Sequence, residues 1–187
     1  GRFAQTGSVT PLVLALPAPD QPFYPPNAEL VHALGMVALG RDVLPPALAL
    51  RLVAAAVQRG LPLLPHTRDA IAGACTEAAW CSELRASPEA SARFVSLVAE
   101  RKETKLRAGS VVRELHDLGL LLAMIPEFSP VVGRTHHDMY HVYTVDVHSV
   151  AAVVRLGALT RGELAQEHPL ACRLAAEIAR PEMLFFA

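Results

Sequence analysis

The sequence has few aromatic residues and almost no excess of either charge. Phe, Trp and Tyr make up 5% of the 187 residues, whereas hydrophobic residues as a whole make up 52%. The core must therefore consist mainly of Leu, Val and Ala, a mixture typical of packed helices. Lys and Arg total 17 against 18 for Asp and Glu, giving a net charge of −1. This balance argues against nucleic acid or an anionic membrane as the main partner.

Cysteines are few, and long apolar runs are missing. Cys75, Cys81 and Cys172 form an odd set without a CxxC pair, which favours free, buried thiols in a reducing compartment over a disulfide framework. No apolar run approaches the ~20 residues that span a bilayer. We also find no signal peptide. We therefore expect a cytoplasmic protein that does not enter a membrane.

Apolar periodicity predicts a mainly α fold, a multi-helix bundle with a short N-terminal β segment. Residues 9–16 alternate as a strand does, and the prolines that follow, up to Pro26, predict an extended connector. Capping residues, prolines and helical spacing then predict the helices. These are 27–40, 45–60, 67–84 with Thr67 as cap, one from Ser87 onward, 111–125, 144–159, and a last one that carries Leu170, Leu174 and Ile178.

Both ends of the chain are expected to be cuts within a longer protein. The sequence opens at Gly1 without an initiator Met. It closes on a segment, from Pro181 onward, that is typical of the first turns of an apolar helix. We therefore expect a fragment.

Titratable side chains are concentrated in residues 139–148, which hold two His, two Tyr and one Asp. His137, His141 and His148 are four and seven positions apart, so on a continuous helix they would share one face, which is metal-ligand spacing. His148 is predicted on the apolar stripe of helix 144–159, where an unpartnered imidazole would cost about 1–3 kcal/mol. The alternative is that these imidazoles cap helix ends and bond the backbone.

Three further features have structural interpretations. Asp146 is interpreted mainly as a first-turn acid that the helix dipole favours. The pairs His116-Asp117 and His137-Asp138 spell the doublet that names the metal-dependent His-Asp (HD) phosphohydrolases. A match of two residues is very weak support, and we interpret both pairs as coincidental.

The segments 125–133 (IPEFSPVVG) and 138–148 (DMYHVYTVDVH) carry a more specific pattern. They resemble the bifunctional uridylyltransferase/uridylyl-removing enzymes of PII nitrogen signalling. The resemblance extends to His168-Pro169-Leu170 and to 180–184, covers nearly the whole chain, and is sharpest from 125 to 148. One departure is Val147, where that family usually carries an acid.

The resemblance implies a position within a larger, multidomain enzyme. In that family a nucleotidyltransferase domain adds UMP to PII, a helical segment follows, and an HD domain hydrolyses PII-UMP. Residues 1–26 would be a β segment and connector, 27–133 the helical linker, and 134–187 the N-terminal part of a truncated HD domain. Gly7-Ser8 and Gly109-Ser110 lack the downstream acids of the transferase signature. We therefore expect that domain to be missing from this chain.

The resemblance also implies a metal site that this chain holds only in part. His148 falls at the first metal ligand of the HD domain, and His141 and Asp146 are candidates for supporting a ligand or meeting phosphate. The cofactor would be Mg²⁺ or Mn²⁺, which lowers the pKa of an attacking water. PII, UTP and UMP would be partners of the full-length enzyme. No complete catalytic set is expected here, so the fragment alone should be inactive.

Two other functions stay open. One is a different HD phosphohydrolase, such as an enzyme acting on guanosine polyphosphates, although the 125–148 pattern argues against it. The other is a helical regulatory or scaffold module whose metal site has decayed. The residues that follow Pro181 in the gene would separate this last possibility from the enzyme, because the family's His-Asp pair is expected there.

Overall fold

The computed structural model describes residues 30–33, 36–40, 44–100, 104–135 and 143–186. The predicted strand at 9–16 and the proline connector lie outside the described residues. The mainly α fold class is confirmed. The elements of the described part are β1 Leu30–Ala33, β2 Met36–Leu39, α1 Pro46–Arg59, α2 Pro65–Ala74, α3 Ala78–Ala86, α4 Pro88–Val98, α5 Val111–Asp117, α6 Leu120–Met124, a first 3₁₀ helix Pro126–Val131, α7 Val145–Thr160, α8 Pro169–Ala176 and a second 3₁₀ helix Pro181–Phe185.

The predicted helix over 27–40 is wrong, because this segment contains β1 and β2 paired as antiparallel strands. The fully buried Val37 donates its N–H to the carbonyl of Pro62 at 2.8 Å, and its own carbonyl accepts from Leu64 N–H at 2.8 Å. These backbone bonds join β2 to a segment more than twenty residues away. Such long-range pairing overrides the local helical spacing of the apolar residues.

The predicted helix over 67–84 is also wrong, because it is two helices, α2 and α3. Pro65 lies in the first turn of α2, so the helix begins before Thr67. Thr67 is fully buried inside α2, and its hydroxyl accepts a hydrogen bond from the N–H of Leu39 at 2.9 Å. Its role is therefore to fasten the hairpin to α2 rather than to cap a helix.

The predicted helix over 111–125 is broken at Gly119, between α5 and α6. Gly119 has φ 77, in the left-handed region that glycine adopts without strain. A Cβ placed here would lie 3.1 Å from the Cβ of Cys75, so the position also favours a residue without a side chain. The predicted apolar repeat is buried as far as Leu118, whereas Leu122 and Ile125, beyond the break, are only partly buried.

Other predicted helix ends are confirmed. Gly60 ends α1 in the left-handed conformation with φ 60. Ser87 caps α4, since its hydroxyl accepts from the N–H of Ala90 at 3.2 Å. The predicted helix 144–159 matches α7. The last helix ends at Ala176, before Ile178.

The inward face predicted for that last helix, α8, is wrong. Leu170 and Leu174 are 58% and 53% exposed, whereas Cys172 and Ala175 are buried. The buried face of α8 is therefore the side with small residues, where the helix contacts α7.

One hydrophobic cluster runs through the described part of the chain. The buried face of α1 lies at its centre and packs against β2 and α4, while α5 packs against α6 and α7. The cluster includes Val150 of α7 and so crosses the predicted domain boundary at 133/134. That boundary stays a prediction. No helix among the described residues has the length and apolar character needed to cross a membrane.

Candidate functional site

Asp146 is a buried acid in the first turn of α7, and it is 4% exposed. One carboxylate oxygen, Oδ2, accepts from Nε2 of His116 at 2.8 Å. The other, Oδ1, accepts from the backbone N–H of Gly133 at 3.1 Å. Three separate parts of the chain therefore meet at this carboxylate: α5, the loop after the first 3₁₀ helix, and α7.

The surroundings of Asp146 keep it ionised. Burial by itself raises the pKa of this carboxyl, but hydrogen bonds from the Thr144 side chain, from His116 and from the N–H groups of Gly133 and Val147 outweigh it. Together they lower the pKa of Asp146 to about 2. Because the carboxylate only accepts in this form, Nε2 of His116 carries the proton of the bond between them.

His116 lies at the end of α5 between two acids. Its Nδ1 is 3.7 Å from Oδ1 of Asp117, and its Nε2 bonds Asp146. The imidazole of the His116-Asp117 pair thus has a partner on α7, thirty residues away. Sequence reasoning missed this contact, because neither the doublet nor the helical spacing indicates a pairing over that distance.

His148 lies two residues after Asp146 and is exposed. The prediction that its side chain follows a buried apolar stripe is wrong, since the buried residues of α7 are Asp146, Val150 and Gly157. Positions 146 and 148 point about 200° apart on a helix, so turning Asp146 inward turns His148 outward. The His148 side chain makes no hydrogen bond or ion pair within the described residues, while its backbone N–H donates to the carbonyl of Thr144 at 3.0 Å. His136, His137 and His141 lie outside the described residues.

The described part of the chain contains no group of three or more His, Cys, Asp or Glu side chains able to hold a metal ion. The arrangement that it does contain is a buried carboxylate that fixes the start of a helix and an exposed imidazole two residues along. Among the described residues, His148 therefore offers a single exposed imidazole without a set of neighbouring ligands.

A second buried charge pair holds α5 from its other side. Glu114 is fully buried and pairs with the guanidinium of Arg68 on α2. The Glu114 carboxylate also accepts from the N–H of Ala108 at 3.0 Å. Burial, and then the charge of Arg107, lower the pKa of Arg68. Through Glu114 and His116, one short helix connects α2 in the core to the start of α7.

The curated proteins that this chain resembles share one name. The chain is 41% identical over 103 residues to the bifunctional uridylyltransferase/uridylyl-removing enzyme of Thiobacillus denitrificans, a match covering 55% of this chain and 12% of that protein. It is 36% identical over 138 residues to the enzyme of the same name from Caulobacter vibrioides, and 32% identical over 138 residues to that of Azospirillum brasilense. These two matches each cover 74% of this chain and 14% of the relative.

No family model matches the chain, and no solved structure matches it. The matches to the curated relatives span only about one seventh or one eighth of their length, from 12% to 14%. The resemblance seen in the 125–148 pattern is nevertheless confirmed, because relatives with one shared name match up to three quarters of the chain. The chain is therefore a homologue of one segment of the bifunctional uridylyltransferase/uridylyl-removing enzymes.

Proposed function

We propose that this chain is a segment of an enzyme that uridylylates the PII regulatory protein and hydrolyses PII-UMP, and thereby controls nitrogen assimilation in the cytoplasm. The names of the relatives support the two activities. The single observation in the fold that favours it is the arrangement at the start of α7. There a buried Asp146 holds the helix so that His148 projects into solvent without a partner among the described residues.

His148 is proposed as the first metal ligand of an HD domain that begins in 134–187. Residues 27–133 would be the helical linker. The nucleotidyltransferase domain and the remaining ligands would lie in parts of the enzyme outside this chain. A divalent ion, Mg²⁺ or Mn²⁺, would supply a water of lowered pKa and polarise the phosphoryl oxygen. The imidazole of His148 would bind one position of that ion.

The other two candidate residues have different proposed roles. The carboxylate of Asp146 is already occupied by donors and is buried, so it positions the helix rather than meeting phosphate. His141 is proposed to orient a ligand or to contact the phosphate of PII-UMP. Since His148 alone does not retain a divalent ion, the isolated 187-residue chain should release no UMP.

The test is an assay of the full-length enzyme with PII, UTP and Mn²⁺ or Mg²⁺. Both uridylylation of PII and release of UMP from PII-UMP are measured. His148→Ala should reduce UMP release by at least about a hundredfold, because a ligand of the ion is lost, while uridylylation stays within about twofold of wild type. The separation of the two activities is what the proposal predicts.

His66→Ala is the matched control. His66 is an exposed histidine on α2, so its loss should change neither activity. If His148→Ala keeps full UMP release, His148 is not a ligand. If the wild-type enzyme modifies no PII and releases no UMP, the proposed function itself is wrong.

A further inference from the structure

We propose that His116, Gly133 and Asp146, together called the Asp146 clamp, are positioning residues that set the rotation of α7 and so present His148 to the metal. This inference rests on the proposed function and extends it to residues on another helix and a loop. The clamp is defined by the two carboxylate bonds of Asp146, at 2.8 Å to His116 Nε2 and 3.1 Å to Gly133 N–H.

The Asp146 clamp controls the rotation of α7 about its own axis. Successive helix residues turn by about 100°, so Asp146 and His148 lie on nearly opposite sides of α7. The first turn of α7 presents only weak apolar anchors to the core: Val147 is exposed, and the first buried hydrophobic residue is Val150. Without the clamp, this turn is held mainly by the half-buried Val145, whose N–H donates to the carbonyl of Arg134 at 2.8 Å, and by Val150.

His116, one of the two partners of Asp146, lies on a helix that is anchored in the core. His116 follows Leu115 and Glu114 on α5, and both of these are fully buried. Glu114 is paired with Arg68 of α2. The clamp therefore connects the start of α7 to the interior of the protein through α5, which explains why an ionised carboxylate is retained in a buried position where desolvation disfavours it.

A donor at position 116 is what the clamp requires. His116→Phe removes the donor and keeps a ring of similar size, whereas His116→Gln keeps an N–H donor at a similar reach on a more flexible side chain. In the full-length enzyme, His116→Phe should raise the Mn²⁺ concentration for half-maximal UMP release about tenfold or more, since small misplacements of a catalytic group have effects of this size. His116→Gln should show a smaller shift, and uridylylation should be unchanged in both.

Two measurements distinguish a positioning role of His116 from a role as metal ligand and from a general loss of structure. Saturating Mn²⁺ should restore UMP release in His116→Phe but not in His148→Ala, because only the second lacks the ligand. His66→Phe, at an exposed site on α2, should leave the Mn²⁺ dependence as in wild type.

A second readout needs no catalysis and no metal. Hydrogen exchange of the full-length enzyme, followed by mass spectrometry, should show peptides covering residues 145–150 exchanging at least about tenfold faster in His116→Phe, because the first turn of α7 opens more often. Peptides from α1 should be unchanged. This measurement decides the inference even if the enzyme releases no UMP, an outcome that would reject the proposed function alone. Unchanged exchange at 145–150, or an unchanged Mn²⁺ dependence in an active enzyme, overturns the clamp.

Discussion

The described residues before and after position 143 differ in how they bury their apolar side chains. From 36 to 135, α1 contributes an almost unbroken buried face against which β2, α3 and α4 pack, and α5 and α6 pack in turn on α4 and α3. Beyond 143, the buried hydrophobic residues in the described part of the chain are Val150, Cys172 and Ala175. Most of the large exposed hydrophobic residues lie there instead: Tyr143, Val147, Leu170, Leu174, Ile178, Met183, Leu184 and Phe186.

The packing around α7 shows the same difference. Cavities of about 400 and 470 Å³ adjoin this helix, the larger one lined mainly by apolar side chains that include Leu156 and Phe185. The earlier region thus has a core of its own, whereas the later region is attached to it through the Asp146 clamp and a few apolar contacts. The exposed His148 thus lies in the less well packed later region. In our proposal its orientation depends on contacts with the better packed earlier region.

The largest expected effect comes from breaking the buried charge pair of the earlier region. Glu114→Ala leaves the guanidinium of Arg68 buried without its partner, which should lower the free energy of unfolding by about 3–5 kcal/mol. Urea unfolding of the 187-residue chain measures this. Glu83→Ala, at an exposed position of α3, should change stability by less than about 0.5 kcal/mol. Equal effects of the two substitutions would remove the distinction between core and surface on which the comparison depends.

Leucine truncations compare the two regions directly. Leu50 of α1 is fully buried, so Leu50→Ala should destabilise the chain by about 2–5 kcal/mol through lost burial and a new cavity. Leu170 of α8 is 58% exposed, and Leu170→Ala should stay within about 0.5 kcal/mol. Thermal unfolding of both variants is the measurement. A large loss at Leu170 would mean that the later region buries this face in solution.

Substitutions at two glycines with nearly the same backbone angle φ distinguish the cost of backbone strain from the cost of a close contact. Gly119 has φ 77, and a methyl group added there would lie 3.1 Å from Cys75, whereas Gly162 has φ 76 with nothing within 4 Å of that position. Gly162→Ala should cost about 1–2 kcal/mol for the left-handed backbone alone. Gly119→Ala should cost more, by about 1 kcal/mol, because the neighbour must also move. Chemical denaturation compares them, and an equal loss would show that the earlier region yields freely around Cys75.

These contrasts also explain which features the sequence could predict. Helix ends set by local chemistry, at Gly60 and Ser87, followed from the residue types. The hairpin of β1 and β2 did not, because its bonds to Pro62 and Leu64 depend on a segment distant in sequence. The helix over 144–159, which carries Asp146 and His148, also followed from local spacing and is present as α7.

The inward and outward faces of that helix could not be predicted in the same way. Apolar spacing suggested that His148 points inward, whereas Asp146, which lies in the first turn as predicted, is the buried residue. Its partner His116 lies on a helix thirty positions earlier, and a single sequence contains no signal for such a polar contact. The rotation of α7 is tied to the buried pair of Asp146 and His116, and hydrophobic periodicity cannot detect such a pair.

The smallest expected effect concerns reactivity rather than stability. Burial, and then the proximity of Cys81, raise the pKa of Cys75 to about 12. At pH 8 only about one Cys75 in ten thousand is therefore a thiolate, and each unit of higher pH raises that fraction tenfold. Iodoacetamide should leave Cys75 unmodified in the folded chain at pH 8 and label it in urea, as peptide mass spectrometry will show. Rapid labelling of the folded chain would mean that this part of the earlier region is open to solvent.

The central claim is that the exposed His148 is a metal ligand held in place by the packed region. The most direct measurement is Mn²⁺ binding to the full-length enzyme, followed by electron paramagnetic resonance, in wild type, His148→Ala and His66→Ala. The account predicts that His148→Ala weakens Mn²⁺ binding at least about tenfold while His66→Ala binds as wild type does. Equal Mn²⁺ affinity in wild type and His148→Ala would contradict it.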